Sequence, residues 1–167
     1  SHARPGADSG LDSDQGTIIA GGAVWAVGSS MDMASTSSTQ PTMNLIFNSN
    51  VSPSSRVTVK DSDGNEVISF CANDAEFISG TDRRTYLAAI VTHPSFKANG
   101  VYHLFMDGTQ LGYTGNEAGH GPGGQGGPGG WGRPGSSTSS SSSSGDIKTD
   151  FTLCSSATNF SGVQKAY

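Results

Sequence analysis

Arg56-Val-Thr-Val-Lys60, then Asp61-Ser-Asp-Gly-Asn65, then Glu66-Val-Ile-Ser-Phe70: this stretch decides the fold class. Val57 and Val59 alternate with polar neighbours, so the first run reads as a strand with one dry and one wet face. Asp63-Gly64 supplies the left-handed backbone that a tight hairpin turn needs. Outward from this hairpin the pattern repeats. Short β-branched runs separated by Gly, Asn, Asp and Ser predict strands near Thr17–Ala20, Ala23–Val27, Met43–Phe47, Arg56–Lys60 and Glu66–Cys71. More follow near Tyr86–Thr92, Tyr102–Met106, Gln110–Tyr113 and Ile147–Leu153, with a second turn at Asp107-Gly108. Tyr86-Leu-Ala-Ala-Ile-Val, the best helical candidate, is short and ends in β-branched residues, so it reads as a buried strand. The chain reads as all-β.

Composition sets the surroundings. The 167 residues carry 9 Lys plus Arg against 14 Asp plus Glu, a net charge of −5, and only 14% of them are charged. An acidic chain with scattered basic residues lacks the electrostatic footprint of a nucleic-acid binder. No apolar run approaches the roughly 20 residues of a membrane-spanning helix. No signal peptide is read at the front, so an exported protein would be expected here in its mature form. Residues 1–16 read as an N-terminal arm, 17–114 as a rung plus the first part of a β-sandwich, and 146–167 as the closing strands and tail. Between them, 115–145 is compositionally separate. Eleven of the 21 residues from 115 to 135 are glycine and 136–144 are all Ser or Thr, too little apolar surface to offset ordering entropy. That composition predicts a solvated loop, with Trp131 and Pro134 as its anchors if neighbouring subunits order it.

Cys71 and Cys154 are too few for a disulfide scaffold or a zinc cluster. Paired, they would close a loop of about 84 residues, a gain of about 4–5 kcal/mol by chain entropy. The alternative is two buried thiols. Sparse charge, abundant Ser, Thr and Gly, and the sequons Asn50-Val-Ser52 and Asn159-Phe-Ser161 all point to an extracellular address.

Motifs for chemistry are few. Asp8-Ser-Gly-Leu-Asp12-Ser-Asp14 places three carboxylates on one turn, a spacing that could serve calcium, which wants six to eight oxygens on a flexible loop. Asp61-Ser-Asp63-Gly-Asn65 looks similar, but hairpin geometry accounts for it. His2, His93, His103 and His120 have neither ligand spacing nor a partner motif, and the glycine tract lacks the Lys of a phosphate loop. Arg83-Arg84 could meet an anionic sugar or lie on a solvated turn. Trp25 is either core or a flat platform for sugar stacking. Nothing is assembled for catalysis, and the expectation is a non-enzyme.

The chain resembles the C-terminal portion of secreted bacterial proteins described as carbohydrate-binding domain-containing and built on a right-handed parallel β-helix. The likeness lies in Gly10-Leu-Asp-Ser-Asp14 and Gly16-Thr-Ile-Ile-Ala-Gly-Gly-Ala-Val-Trp-Ala-Val-Gly28. It runs on through Met31, Ser38-Thr39-Gln40, Asn44-Leu-Ile-Phe47, the Val57–Phe70 hairpin and Asp150-Phe-Thr-Leu153. The resemblance implies a last β-helix rung, or an N-terminal strand arm, followed by an antiparallel β-sandwich cap of jelly-roll or Ig-like kind. It also implies binding to acidic polysaccharide bridged by calcium, with Asp8, Asp12 and Asp14 carried over as the metal ligands. The chain departs from that family in lacking the stack of rungs expected before Gly16.

A lone rung leaves a hydrogen-bonding edge and an apolar face that only a stacked neighbour covers. Either the chain is a piece of a longer protein or another copy supplies the neighbour, and head-to-tail repetition of that contact builds open filaments. The expected function is therefore an extracellular structural β-protein that self-assembles. Trp25, Trp131, Arg83 and Arg84 are its candidate contacts. The alternative is a calcium-dependent module for acidic polysaccharide.

Overall fold

The computed structural model describes residues 17–29, 33–74, 85–118 and 146–167. Ten strands run through them: β1 (Val24–Gly28), β2 (Thr42–Val51), β3 (Arg56–Asp61), β4 (Glu66–Cys71), β5 (Tyr86–Thr92), β6 (Val101–Met106), β7 (Thr109–Gly112), β8 (Gly115–Ala118), β9 (Phe151–Thr152) and β10 (Ala157–Lys165). The fold is all-β, as the alternating runs imply. The strands form one mixed sheet in the order β1-β5-β2-β10-β7-β6-β3-β4, curled until it nearly closes into a barrel. β8 lies beside β10, and β9 beside β6.

Strand β10 joins the two halves of this sheet. Its first half runs parallel to β2, Ala157 opposite Thr42 and Phe160 opposite Leu45, while β8 flanks its other side. Its last residues leave that neighbourhood and pair with β7, Gln164 opposite Gly112 and Lys165 opposite Leu111. The transfer needs a corner, and the sequence supplies one in glycine. The register of β10 shifts between Phe160 and Val163, and Gly162 there has φ +63°. A Cβ at Gly162 would lie 2.1 Å from Thr114 Oγ1, so both bending segments touch where only a bare backbone fits.

The two end strands, β1 and β4, share no backbone ladder. Trp25 of β1 and Phe70 of β4 stack instead, ring centroids 5.3 Å apart and 18° from parallel. Beneath that stack lies the main core, in which Phe151, Phe160 and Tyr113 pack at centroid distances of 4.8–4.9 Å. Full burial of a side chain of this size is worth roughly 1.5–3 kcal/mol, so the cluster compensates for a charge-poor surface by drying the centre.

Several sequence expectations are corrected. The sheet is mixed rather than purely antiparallel, because β10 returns beside β2 in the same direction. Thr17–Ala20 forms a single parallel bridge, Thr17 to Ala34, rather than a strand. Ile147–Leu153 contracts to the Lys148–Tyr113 bridge and the two residues of β9. Residues 115–118, read with the glycine-rich tract, pair with β10 as β8.

The Cys71–Cys154 disulfide is not formed, and both thiols are free. Strand register explains why. Cys71 pairs with Arg56, beside the Val57–Met106 pair, whereas Cys154 lies two residues past Thr152, which pairs with Val101. Met106 and Val101 are the opposite ends of β6, about 16 Å apart at strand rise, far beyond the roughly 7 Å limit for Cα atoms of a disulfide. Cys71 Sγ donates instead to Pro53 O and Cys154 Sγ to Ala157 O, both at 3.2 Å.

Candidate functional site

One face of β5, β2 and β10 is roofed by the segments 17–22 and 33–39. Their anchor is Asn44, fully buried in an otherwise apolar strand run. Its Nδ2 donates to Ala34 O at 3.0 Å and to Asn159 Oδ1 at 2.7 Å, and its Oδ1 accepts from Ala34 N at 3.0 Å. One side chain thereby satisfies both backbone groups of Ala34, the work of a ladder partner. Around it Ile19, Ala34, Ile90 and Ala157 form a small second core, with Met33 packed against it.

The two roof segments also bind each other. Ser35 N donates to Thr17 O at 2.8 Å and Thr39 N to Ile19 O at 2.9 Å, while Ile19 N donates to Ser38 Oγ at 2.9 Å. Two parallel segments separated by a short excursion of chain are thus hydrogen-bonded side by side. Ile18, between the anchored Thr17 and Ile19, is 59% exposed. Burying such a side chain would release roughly 1.5–3 kcal/mol.

At the far end of β2 the barrel opens into a cavity of about 480 Å³. Its floor is apolar, made by Phe47, Val51, Met106, Leu111 and Val163, and its rim carries Asn50, Asp107, Gln164 and Lys165. The cavity exists because β2 and β10 part company here: their pairing ends at Phe47–Val163, after which β10 turns to β7. Below the mouth, fully buried Tyr86 has no hydrogen-bond partner for its hydroxyl among the described residues, and burial pushes its pKa well above the usual phenol range.

A second cleft, about 390 Å³, is lined by Asp61, Asp63, Ser95, Lys97 and Tyr102. Its carboxylate Asp61 is committed to the hairpin turn. Oδ1 accepts from Asn65 N at 2.9 Å and from Asp63 N at 3.0 Å, and these bonds, led by Asn65, hold Asp61 below the usual carboxylate range. On the surface nearby, His103 Nε2 meets Asp150 Oδ1 at 2.9 Å.

Of the sequence candidates, Trp25 is half-buried and packs on the main core. Asn50 is exposed at the end of β2, on the cavity rim. Asn159 is partly buried within β10, its Oδ1 occupied by Asn44. Asp8, Asp12, Asp14, Arg83, Arg84 and Trp131 lie outside the described residues, as does most of the 115–145 tract. Among the described residues no three His, Cys, Asp or Glu side chains converge as metal ligands. No helix there is long and apolar enough to cross a membrane. Sequence reading passed over Asn44, although a lone amide inside Met43-Asn-Leu-Ile-Phe47 is the kind of polar interruption that flags a clamp. No family model, no curated protein and no solved structure matches this chain.

Proposed function

We propose that the protein is a non-enzymatic, extracellular structural β-module that associates with copies of itself through its leading segment, Thr17–Gly22. The single observation supporting this is the parallel Thr17–Ala34 bridge, with its flanking bonds from Ser35 and Thr39. Side-by-side parallel segments within one chain are the repeating contact of a solenoid coil, and a coil of that kind is stabilised by stacked neighbours. Exposed Ile18 and the extended backbone beside it are the surface that a further coil would cover. The extracellular setting is supported by the charge-poor, Ser- and Gly-rich composition. A finer β-helix-plus-cap architecture fits the same bridge.

The test is negative-stain microscopy with sedimentation analysis of the full chain at about 100 µM, comparing wild type with Ile18→Lys. Ile18 is exposed, so the change leaves the barrel intact. Wild-type filaments or long oligomers that Ile18→Lys disperses are the expected result. Filaments indifferent to the substitution, or no extended assembly at all, defeat the reading.

A further inference from the structure

We infer that the barrel mouth is the acceptor for the leading segment of a second copy: Thr17–Gly22 of one molecule lies along the diverging edges of β2 and β10 in the next, with Ile18 over the apolar floor. This rests on the self-association proposed above and names the surface that receives it.

The donor is defined by its bonds. Thr17 O and Ile19 O accept from Ser35 N and Thr39 N, and Ile19 N donates to Ser38 Oγ. Backbone groups of an extended segment alternate sides with a period of two, so those of Ile18 face away from 33–39. They make no hydrogen bond among the described residues. Ile18 thus presents a free N–H, a free C=O and a side chain that is 59% exposed.

The acceptor is defined in the same way. Ala166 N donates to Gln110 O, and Lys165 and Gln164 stand opposite Leu111 and Gly112. Bonded and non-bonded pairs alternate along an antiparallel ladder, so the N–H and C=O of Lys165 turn from β7 toward the side that β2 has left. Across the gap, β2 advances five residues, from Ile46 to Val51, while β5 advances two, from Ala88 to Tyr86. Asn48, Ser49 and Asn50 fall between those pairs, and the ladder with β10 has already ended at Phe47–Val163. Two unpaired strand edges therefore flank an apolar floor, an arrangement to which an extended segment adds as a strand.

Position makes the contact intermolecular. The roof packs on Ile90 and Ala157, the partners of Asn44 and Thr42, whereas β2 lines the mouth from Phe47 onward. About 20 Å of strand separates Asn44 from Val51, and the bonds at Thr17 and Ile19 hold Ile18 on the roof. It reaches only another molecule's mouth. Donor and acceptor at opposite ends of one strand make a heterologous contact, which repeats head to tail. Charge agrees. Thr17-Ile-Ile-Ala-Gly-Gly22 is uncharged, so it carries no ion onto the dry floor and meets a lining with one acid, Asp107, and one base, Lys165.

Mixing two variants tests the polarity of this contact. Ile18→Lys spoils the donor and leaves the mouth open, while Ser49→Trp, at an exposed lining position, fills the mouth and leaves the donor. Each alone should sediment as a monomer with the wild-type melting temperature. An equimolar mixture should form one-to-one dimers that extend no further. Asn50→Trp, exposed on the same lining, takes over if Ser49→Trp melts early. A mouth-filled variant that assembles like wild type overturns the inference and leaves the proposed function standing, as does a mixture that stays monomeric. If the wild type fails to assemble, or Ile18→Lys assembles regardless, the proposed function falls and the acetylated, amidated peptide Thr17–Gly22 decides the inference. At millimolar concentration it should shift the amide NMR signals of Ser49–Ser52 and Lys165 in isotope-labelled Ile18→Lys, with affinity reduced about tenfold or more when Ser49→Trp is added. Absence of those shifts, or equal affinity with the mouth filled, overturns it.

Discussion

The β3–β4 hairpin and strand β10 both rest on the main core, yet they are specified over opposite ranges. In the hairpin everything is local. Gly64 N donates to Asp61 O at 3.0 Å, Gly64 takes φ +87°, and the paired residues lie within one short stretch of chain. Strand β10 has no such neighbours. Its parallel partner β2 lies 115 positions earlier at the Asn44–Asn159 contact, and its antiparallel partners β8 and β7 stand across the glycine-rich tract. A hairpin is held by its turn, whereas a returning central strand is held only by what it buries.

The largest test of that contrast is Phe160→Ala. Phe160 is fully buried against Tyr113 and Phe151, and removing a ring from such a site costs about 3–5 kcal/mol. Chemical denaturation should report a loss of this size with the transition still cooperative. A loss below about 1 kcal/mol would mean that β10 is not central to the core.

A pair of glycine substitutions sharpens the comparison. Gly64 and Gly162 both have positive φ, but a Cβ at Gly64 meets open space while one at Gly162 strikes Thr114 Oγ1. Gly64→Ala should therefore cost about 1–2 kcal/mol for the backbone alone. Gly162→Ala should cost a further 1–3 kcal/mol, roughly, for the displaced contact. Equal losses in thermal melts would show that the corner yields without resistance.

The smallest effect is electrostatic and belongs to the hairpin. Folding lowers the pKa of Asp61, so its contribution is complete above the unfolded value of about 3.9 and fades as pH falls through the folded value. Asp61→Asn should flatten the fall in melting temperature as the pH drops below about 4. The turn's exposure makes this a shallow slope, and an unchanged slope would remove Asp61 as its source.

The same contrast explains what could be read beforehand. Strands with clean alternation or β-branched runs, such as Arg56–Asp61 and Tyr86–Thr92, were legible because their signals are contained within them. Strand β10 was not: Ala-Thr-Asn-Phe-Ser-Gly-Val-Gln-Lys loses its period of two at Ser161-Gly162, the pair that reads as a turn and acts as a bulge. Cys71 and Cys154 invited a pairing because sequence carries no register, and register is what separates them. The cavity had no sequence signature at all, since it arises where two strands diverge. Asn44 was visible as a polar letter in an apolar word, but its role as a surrogate ladder partner requires Ala34 beside it.

The Trp25–Phe70 stack has one more consequence. Two stacked rings, worth about 0.5–1.5 kcal/mol beyond their burial, and the core side chains beside them bring β1 and β4 together, where neighbouring strands elsewhere are sewn by rows of amides. The molecule thus has a parting line. A seam closed by packed side chains rather than by amides opens more readily than the ladders on either side of it, which stay intact to reseal it.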